Sequence, residues 1–221
     1  MEWSIKRALT FTVTFLLFIS AVASGHEMCV NGNGEIKAEM RSVKAFNTID
    51  VSGIFEVNIK IGKKERLIVK ADSNLLPYIV TKTNRNTLHI DSSKSICTAN
   101  DLSVEIWTNS IVGLAAAGSN NISISAISSP IFKIVSDGTN EIFLTGTAGH
   151  FTAELNGTSD LDGKALKSSR TDVIINGAAN AEVYASKHLN AIINGAGDLT
   201  CYGHPVSVTK QINGVGEIFI E

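Results

Sequence analysis

The chain has 221 residues, 19 Lys and Arg against 21 Asp and Glu, a net charge of −2, and 44% hydrophobic but only 6% aromatic residues. A weakly acidic balance without a basic cluster excludes nucleic acid or an anionic membrane as the expected partner. Eighteen glycines and three prolines beside an aliphatic composition suit an all-β chain better than a helical one.

Residues 1–23 read as a signal peptide. Lys6 and Arg7 precede an apolar run from Ala8 to Val22, and Ala21-Val22-Ala23 has the small-x-small cleavage form. The alternative, a membrane anchor, is disfavoured because the run is short and carries Thr10, Thr12, Thr14 and Ser20. Cleavage removes Glu2, Lys6 and Arg7, leaving 17 basic and 20 acidic residues, with no membrane insertion expected afterwards. Residues 24–40 read as a flexible lead-in around Asn31-Gly32-Asn33-Gly34, and 41–221 as one folded domain with no linker dividing it.

Strand signals begin at Phe46. Ile49 and Val51 alternate, then Val57, Ile59 and Ile61 follow Gly53. Further short apolar runs lie at 67–69, 79–80, 88–90 and 102–106, with Asn84-Arg85-Asn86 and Thr98-Ala99-Asn100-Asp101 reading as turns between irregular coils. From Ala116 to Ile218 one phrase is written six times, around Gly118, Gly138, Gly157, Gly177, Gly195 and Gly214, in steps of 20, 19, 20, 18 and 19. Four residues after each glycine stand Ile122, Ile142, Leu161, Ala181, Leu199 and Ile218. Six after stand Ile124, Leu144, Gly163, Val183, Cys201 and Ile220. Two mostly apolar columns two residues apart share one face of a strand, so that face is expected to look inward. The Asn-Gly corners are expected to use positive φ. A near-constant period of about 19 predicts that the phrases stack as coils of a parallel β-helix at about 4.8 Å per coil. A sandwich of hairpins is disfavoured because hairpins give no reason for a fixed period.

Phe46-Asn47-Thr48-Ile49-Asp50-Val51-Ser52-Gly53, Phe55-Glu56-Val57, Ala71-Asp72-Ser73-Asn74-Leu75-Leu76, Thr87-Leu88-His89-Ile90 and the later Asn-Gly-x-Gly-Asp/Glu phrases carry a family resemblance. Over about Gly32 to Glu221 the chain resembles the bacterial secreted family called "putative auto-transporter adhesin, head GIN domain". The resemblance implies a right-handed, single-stranded parallel β-helix in an exported envelope protein, placed in the periplasm, on the outer surface or outside the cell. It carries over no site residue.

Gly157 to Gly163-Lys164 is a poor phosphate loop, with five residues between the glycines and Ala165 in place of Ser or Thr. His26, His89, His150, His188 and His204 lack metal-ligand spacing, and no Gly-x-Ser-x-Gly occurs. Asn121, Glu141, Asp160, Asn180, Asp198 and Glu217 stand three residues after the glycines; such a row reads as a solvated edge, with a Ca²⁺ ladder as the minor alternative. Cys201 falls in the inward column and reads as a buried thiol. Cys29 and Cys97 are candidates to pair in an oxidising compartment, a pairing the sequence leaves open; Gly25-His26-Glu27-Met28 is a poor lipidation box. No catalytic, cofactor-binding or metal residue is therefore assigned. The expected function is a non-enzymatic envelope or surface module that binds an unknown surface protein or glycan. The alternative, a polysaccharide lyase or hydrolase, rests on fold analogy alone; Arg41, Arg66, Arg85 and Arg170 do not align with the acidic column. N-terminal mass spectrometry of the protein from its host is expected to find a start at or near Ser24, and retention of Met1 would refute the signal peptide.

Overall fold

The computed structural model describes residues 29–63 and 65–221. The expected signal peptide, and residues 24–28 after it, lie outside the described residues. Among the described residues sixteen strands follow one another, with a single 3-10 turn at Leu76–Tyr78. They are β1 (Val30–Asn31), β2 (Ile36–Arg41), β3 (Thr48–Gly53), β4 (Glu56–Ile61), β5 (Arg66–Asp72), β6 (Ile79–Asn84), β7 (Thr87–Ser92), β8 (Ile96–Cys97) and β9 (Ser103–Thr108). Then come β10 (Gly113–Leu155), β11 (Thr158–Ile175), β12 (Ala178–Tyr184), β13 (His188–Ile193), β14 (Leu199–Tyr202), β15 (Ser207–Ile212) and β16 (Ile218–Ile220). β1 and most of β2 fall in the stretch read as a lead-in.

The expected right-handed, single-stranded parallel β-helix over 41–221 is corrected by the sheet itself. Fourteen strands form one mixed sheet, and three of its pairs are antiparallel: β2 with β5, β5 with β9, and β6 with β7. The physical reason is local. Arg85 (φ 45°) and Asn86 (φ 66°) both take positive φ, so the chain reverses within two residues. Two residues can join antiparallel strands but cannot carry the chain back to a parallel neighbour. What reads as a coil turn at 84–86 is a hairpin.

In the later part of the chain the strands pair in parallel, and the glycine steps reappear as registers. Thr139 lies opposite Thr158, Thr158 opposite Ala178, Ala181 opposite Leu199, and Leu199 opposite Ile218. Gly53 lies opposite Gly118, and Ile122 and Ile124 opposite Val57 and Ile59. The apolar columns are buried except at their end: Ile122, Ile142, Ile124, Leu144, Val183 and Cys201 are at most 1% exposed, whereas Ile220, expected to face inward in the last copy, is 37% exposed. Phe143 and Phe219, at the intervening outward position, are 37% and 48% exposed. Phe132 and Phe151 stack inside with ring centres 6.1 Å apart. Cys201 lies between Val183 and Ile220, and burial pushes its thiol pKa up.

The glycine columns have two reasons. Gly118 and Gly138 have φ of +98° and +100°, the left-handed region expected for the corner. The four Asn-Gly corners, at Gly157, Gly177, Gly195 and Gly214, do not take positive φ, which corrects the expectation for them; a Cβ at Gly177 would collide with the carbonyl oxygen of Gly157 in the neighbouring strand, so close backbone approach is what demands glycine. Ile142 is wholly buried whereas Thr139 is exposed. Ile142→Asp would bury an unpaired charge at a cost of several kcal/mol. It is expected to abolish the cooperative thermal transition, while Thr139→Asp leaves the melting temperature within a few degrees. Equal loss in both would overturn the inward assignment.

Candidate ligand groove

An open groove of about 740 Å³ is lined by residues from three parts of the chain. Ile54, Phe55 and Glu56 lie at the β3–β4 corner. Thr98, Asn100, Asp101 and Leu102 form one wall. Ser119, Asn120 and Asn121, then Thr139, Asn140 and Glu141, then Thr158 and Asp160, supply three successive corners of β10 and β11.

A buried polar chain forms its floor. The Phe55 backbone amide donates to Asn120 Oδ1 at 3.0 Å. The Asn120 backbone and side-chain amides donate to Asn140 Oδ1 at 3.1 and 2.9 Å. Asn140 Nδ2 donates to Ser136 Oγ at 2.9 Å, and Ser136 shares a 2.8 Å hydroxyl bond with Ser159. All four side chains are buried, so each bond prevents a desolvation penalty of about 1–3 kcal/mol. Sequence reasoning missed Asn120, Asn140 and Ser159, a column that stands two residues after each glycine. The usable signal was its change to Ala179, Gly197 and Gly216 in the later copies.

Above the floor stands the row singled out from the sequence. Asn121 Nδ2 donates to Glu141 Oε2 at 3.1 Å, and Asn180 Nδ2 to Asp160 Oδ1 at 3.1 Å. Further along, the Glu217 amide donates to Asp198 Oδ1 at 2.8 Å. Amides thus interrupt the carboxylates that a Ca²⁺ ladder would need, and among the described residues no three His, Cys, Asp or Glu side chains converge on a metal position.

The wall at 98–102 is fixed by two devices. Cys29 and Cys97 form a disulfide, with Cα atoms 5.5 Å apart. Asp72, buried at the end of β5, accepts from the Thr98 hydroxyl at 2.6 Å, the Gly34 amide at 2.5 Å and Asn100 Nδ2 at 3.3 Å. The Thr98 hydroxyl above all holds the Asp72 carboxyl below its ordinary range; burial works against it, and Gly34 and Asn100 assist.

The other candidates are structural. Lys164 lies in β11, paired with Glu182 at 2.5 Å and Asp162 at 3.2 Å, with no helix N-terminus to complete a phosphate loop. Glu182 raises the Lys164 pKa. His89 meets Asp50 at 3.1 Å. His150 pairs with Asp172, which also accepts from Arg170 Nε at 3.0 Å.

The mixed 14-stranded sheet makes this an all-β domain. The chain belongs to the family described as "Putative auto-transporter adhesin, head GIN domain", which matches residues 45–205. Three solved structures share its fold at low identity. A "putative adhesin" from Bacteroides fragilis NCTC 9343 is 18% identical, with a TM-score of 0.72 over 87% of this chain and 100% of that one. A "putative adhesin" from Parabacteroides merdae ATCC 43184 is 16% identical, with a TM-score of 0.55 over 85% and 98%. A "putative lipid binding protein" from Parabacteroides distasonis ATCC 8503 is 16% identical, with a TM-score of 0.56 over 86% and 99%. No curated protein matches the chain. None of these names is that of an enzyme, and no helix among the described residues is long and apolar enough to cross a membrane.

A carboxyl with a depressed pKa stabilises the fold above its unfolded value of about 3.9 and loses that contribution as pH falls through the folded value. Thermal melts of the wild type are expected to fall between about pH 5 and pH 2. Asp72→Asn should melt lower at pH 7 and show a shallower acid loss. An unchanged acid profile in the variant would remove Asp72 from this role.

Proposed function

We propose that the chain is an exported, non-enzymatic binding module of the cell envelope, and that the groove beside Ile54 receives a neutral, hydroxyl-rich glycan. The observation that carries this reading is the groove's lining. Glu56, Asp101, Glu141 and Asp160 offer acceptors, four asparagine and three threonine side chains beside them offer both donors and acceptors, and no Lys, Arg or His lines it. Carboxylates without a cation repel anionic ligands and accept from hydroxyls. Ile54, 50% exposed, gives the apolar edge against which a sugar ring can rest. A groove of this volume falls within the roughly 300–1,000 Å³ range of small-ligand sites.

Export is supported by the Lys6/Arg7 and apolar-run pattern, by the adhesin family, and by the Cys29–Cys97 disulfide, which belongs to an oxidising compartment. Periplasm, outer surface and release into the medium are all compatible with these features. The lyase or hydrolase alternative lacks a basic residue in the groove to set beside its carboxylates.

On a glycan array, the full chain is expected to retain neutral oligosaccharides. Ile54→Ser and the Glu141→Gln/Asp160→Asn double variant, all at exposed positions, should weaken retention about tenfold, worth about 1.4 kcal/mol, with unchanged melting temperature. Undiminished binding in both variants would exclude the groove. Polysaccharide cleavage that persists through purification would overturn the non-enzymatic reading.

A further inference from the structure

A second surface lies on strands β4, β9 and β5, adjoining the groove at β4, where Asn58 Nδ2 donates to Glu56 Oε1 at 3.1 Å. Trp107 of β9 is directly opposite Lys60 of β4 on one side and Arg66 of β5 on the other. The row across three strands therefore reads cation, indole, cation. The Lys60 ammonium is 5.9 Å and the Arg66 guanidinium 5.4 Å from the ring centre. Such contacts are favourable in themselves, and by themselves they describe packing. Three further facts point outward. Neither cation has an ion-pair partner among the described residues. Trp107 is half-buried rather than enclosed, and it borders two separate recesses. One, of about 270 Å³, is lined by Asn58, Lys60, Glu105 and Trp107. The other, of about 180 Å³, includes Lys44, Glu65 and Arg66.

We infer that the Lys60–Trp107–Arg66 row is a binding site for an anionic polysaccharide of the uronate type. Each recess is below the usual range for a small-molecule pocket, so each suits one sugar ring rather than an oligomer. Two recesses flanking one indole suit a chain that crosses it. The apolar face of a pyranose lies on the ring, and its carboxylates replace the indole as partners of the two cations. Arg66 presents a planar fork matched to a carboxylate. Asn58 and Glu105, in register with each other beside the row, meet the hydroxyls. The charge preference is opposite to that of the groove, and the inference stands independently of it.

The test uses intrinsic fluorescence, because Trp107 and Trp3 are the chain's two tryptophans. Polygalacturonate titrated into the full chain is expected to give a saturable emission change that weakens with added salt. Fully methyl-esterified polygalacturonate and dextran should give none. Lys60→Gln/Arg66→Gln should weaken the response at least tenfold, and Trp107→Phe should remove the signal while a pull-down shows weakened binding. Ile54→Ser should leave it unchanged, which separates this site from the groove. Equal binding of the neutral ester, or undiminished binding in the double variant, overturns the inference. So does equal binding of poly-glutamate, which would reduce the site to a general polyanion surface.

Discussion

Close backbone approach at the corners governs the later half of this fold. Gly138, Gly157, Gly177 and Gly195 each sit where a Cβ would strike the carbonyl oxygen of the preceding glycine in the column. With nothing but hydrogen on that side, neighbouring corners close to backbone contact and the parallel ladders stay in register on both sides of the bend. Register in turn decides which side chains enter the core, because a slip of one residue would turn every inward position outward. Ile122, Ile142, Leu161 and Leu199 are buried together for this reason, and Phe143 and Phe219 are excluded together.

The same registers bring identical polar residues next to each other, and asparagine is the residue that tolerates this. Its amide both donates and accepts, so a row of identical side chains satisfies itself, whereas a row of carboxylates would repel. Immediately before the glycines, Asn213 donates to Asn194, Asn194 to Asn176, and Asn176 to Asn156, each at 2.8 Å, and Asn156 donates to Asp137 at 2.9 Å. This exposed ladder and the buried Asn120–Asn140 pair use the same chemistry under different energetic demands. The exposed one competes with water and contributes little; the buried one has no alternative partner and must be complete.

The parts of the sequence that could be read correctly were those where burial is one-sided. The apolar columns, apart from Ile220 at their end, and buried Cys201 followed from period-two alternation locked to a glycine. Strand direction did not, because periodicity is blind to it: Leu88 and Ile90 are buried whether β7 meets a parallel or an antiparallel neighbour. The hairpin at Arg85-Asn86 carries no glycine, and its positive φ values are a property of tertiary context as much as of residue type. β2 was hidden for a different reason. It is an edge strand whose residues Ile36 to Met40 are all exposed, so Lys37, Ala38 and Glu39 show no apolar stripe. The groove's floor was hidden because polar residues at 120, 140 and 159 suggest solvent, and only the structure shows that they lie beneath it.

The position of the groove follows from the meeting of the two kinds of pairing. Its wall at 98–102 enters β9, which is parallel to β4 but antiparallel to β5, while its floor belongs to the parallel ladder of β10 and β11. A sheet that changes pairing cannot keep uniform corners, and the mismatch leaves an opening where Phe55, Asn120 and Asn140 would otherwise be covered. An open corner with a buried polar floor is costly unless every bond is made, which explains why the Asn120–Asn140–Ser136–Ser159 chain is confined to these copies. Beyond Ser159 the column becomes Ala179, Gly197 and Gly216, which carry no polar side chain; Gly197 and Gly216 instead lie against the backbone of Ala179 and Gly197, and no polar floor is needed. Asp72 and the Cys29–Cys97 disulfide then act at the one wall that the ladder cannot hold, since residues 98–102 lie outside its parallel registers. The groove therefore lies where the regular part of the fold stops being self-sufficient, and its wall is held by the irregular N-terminal strands.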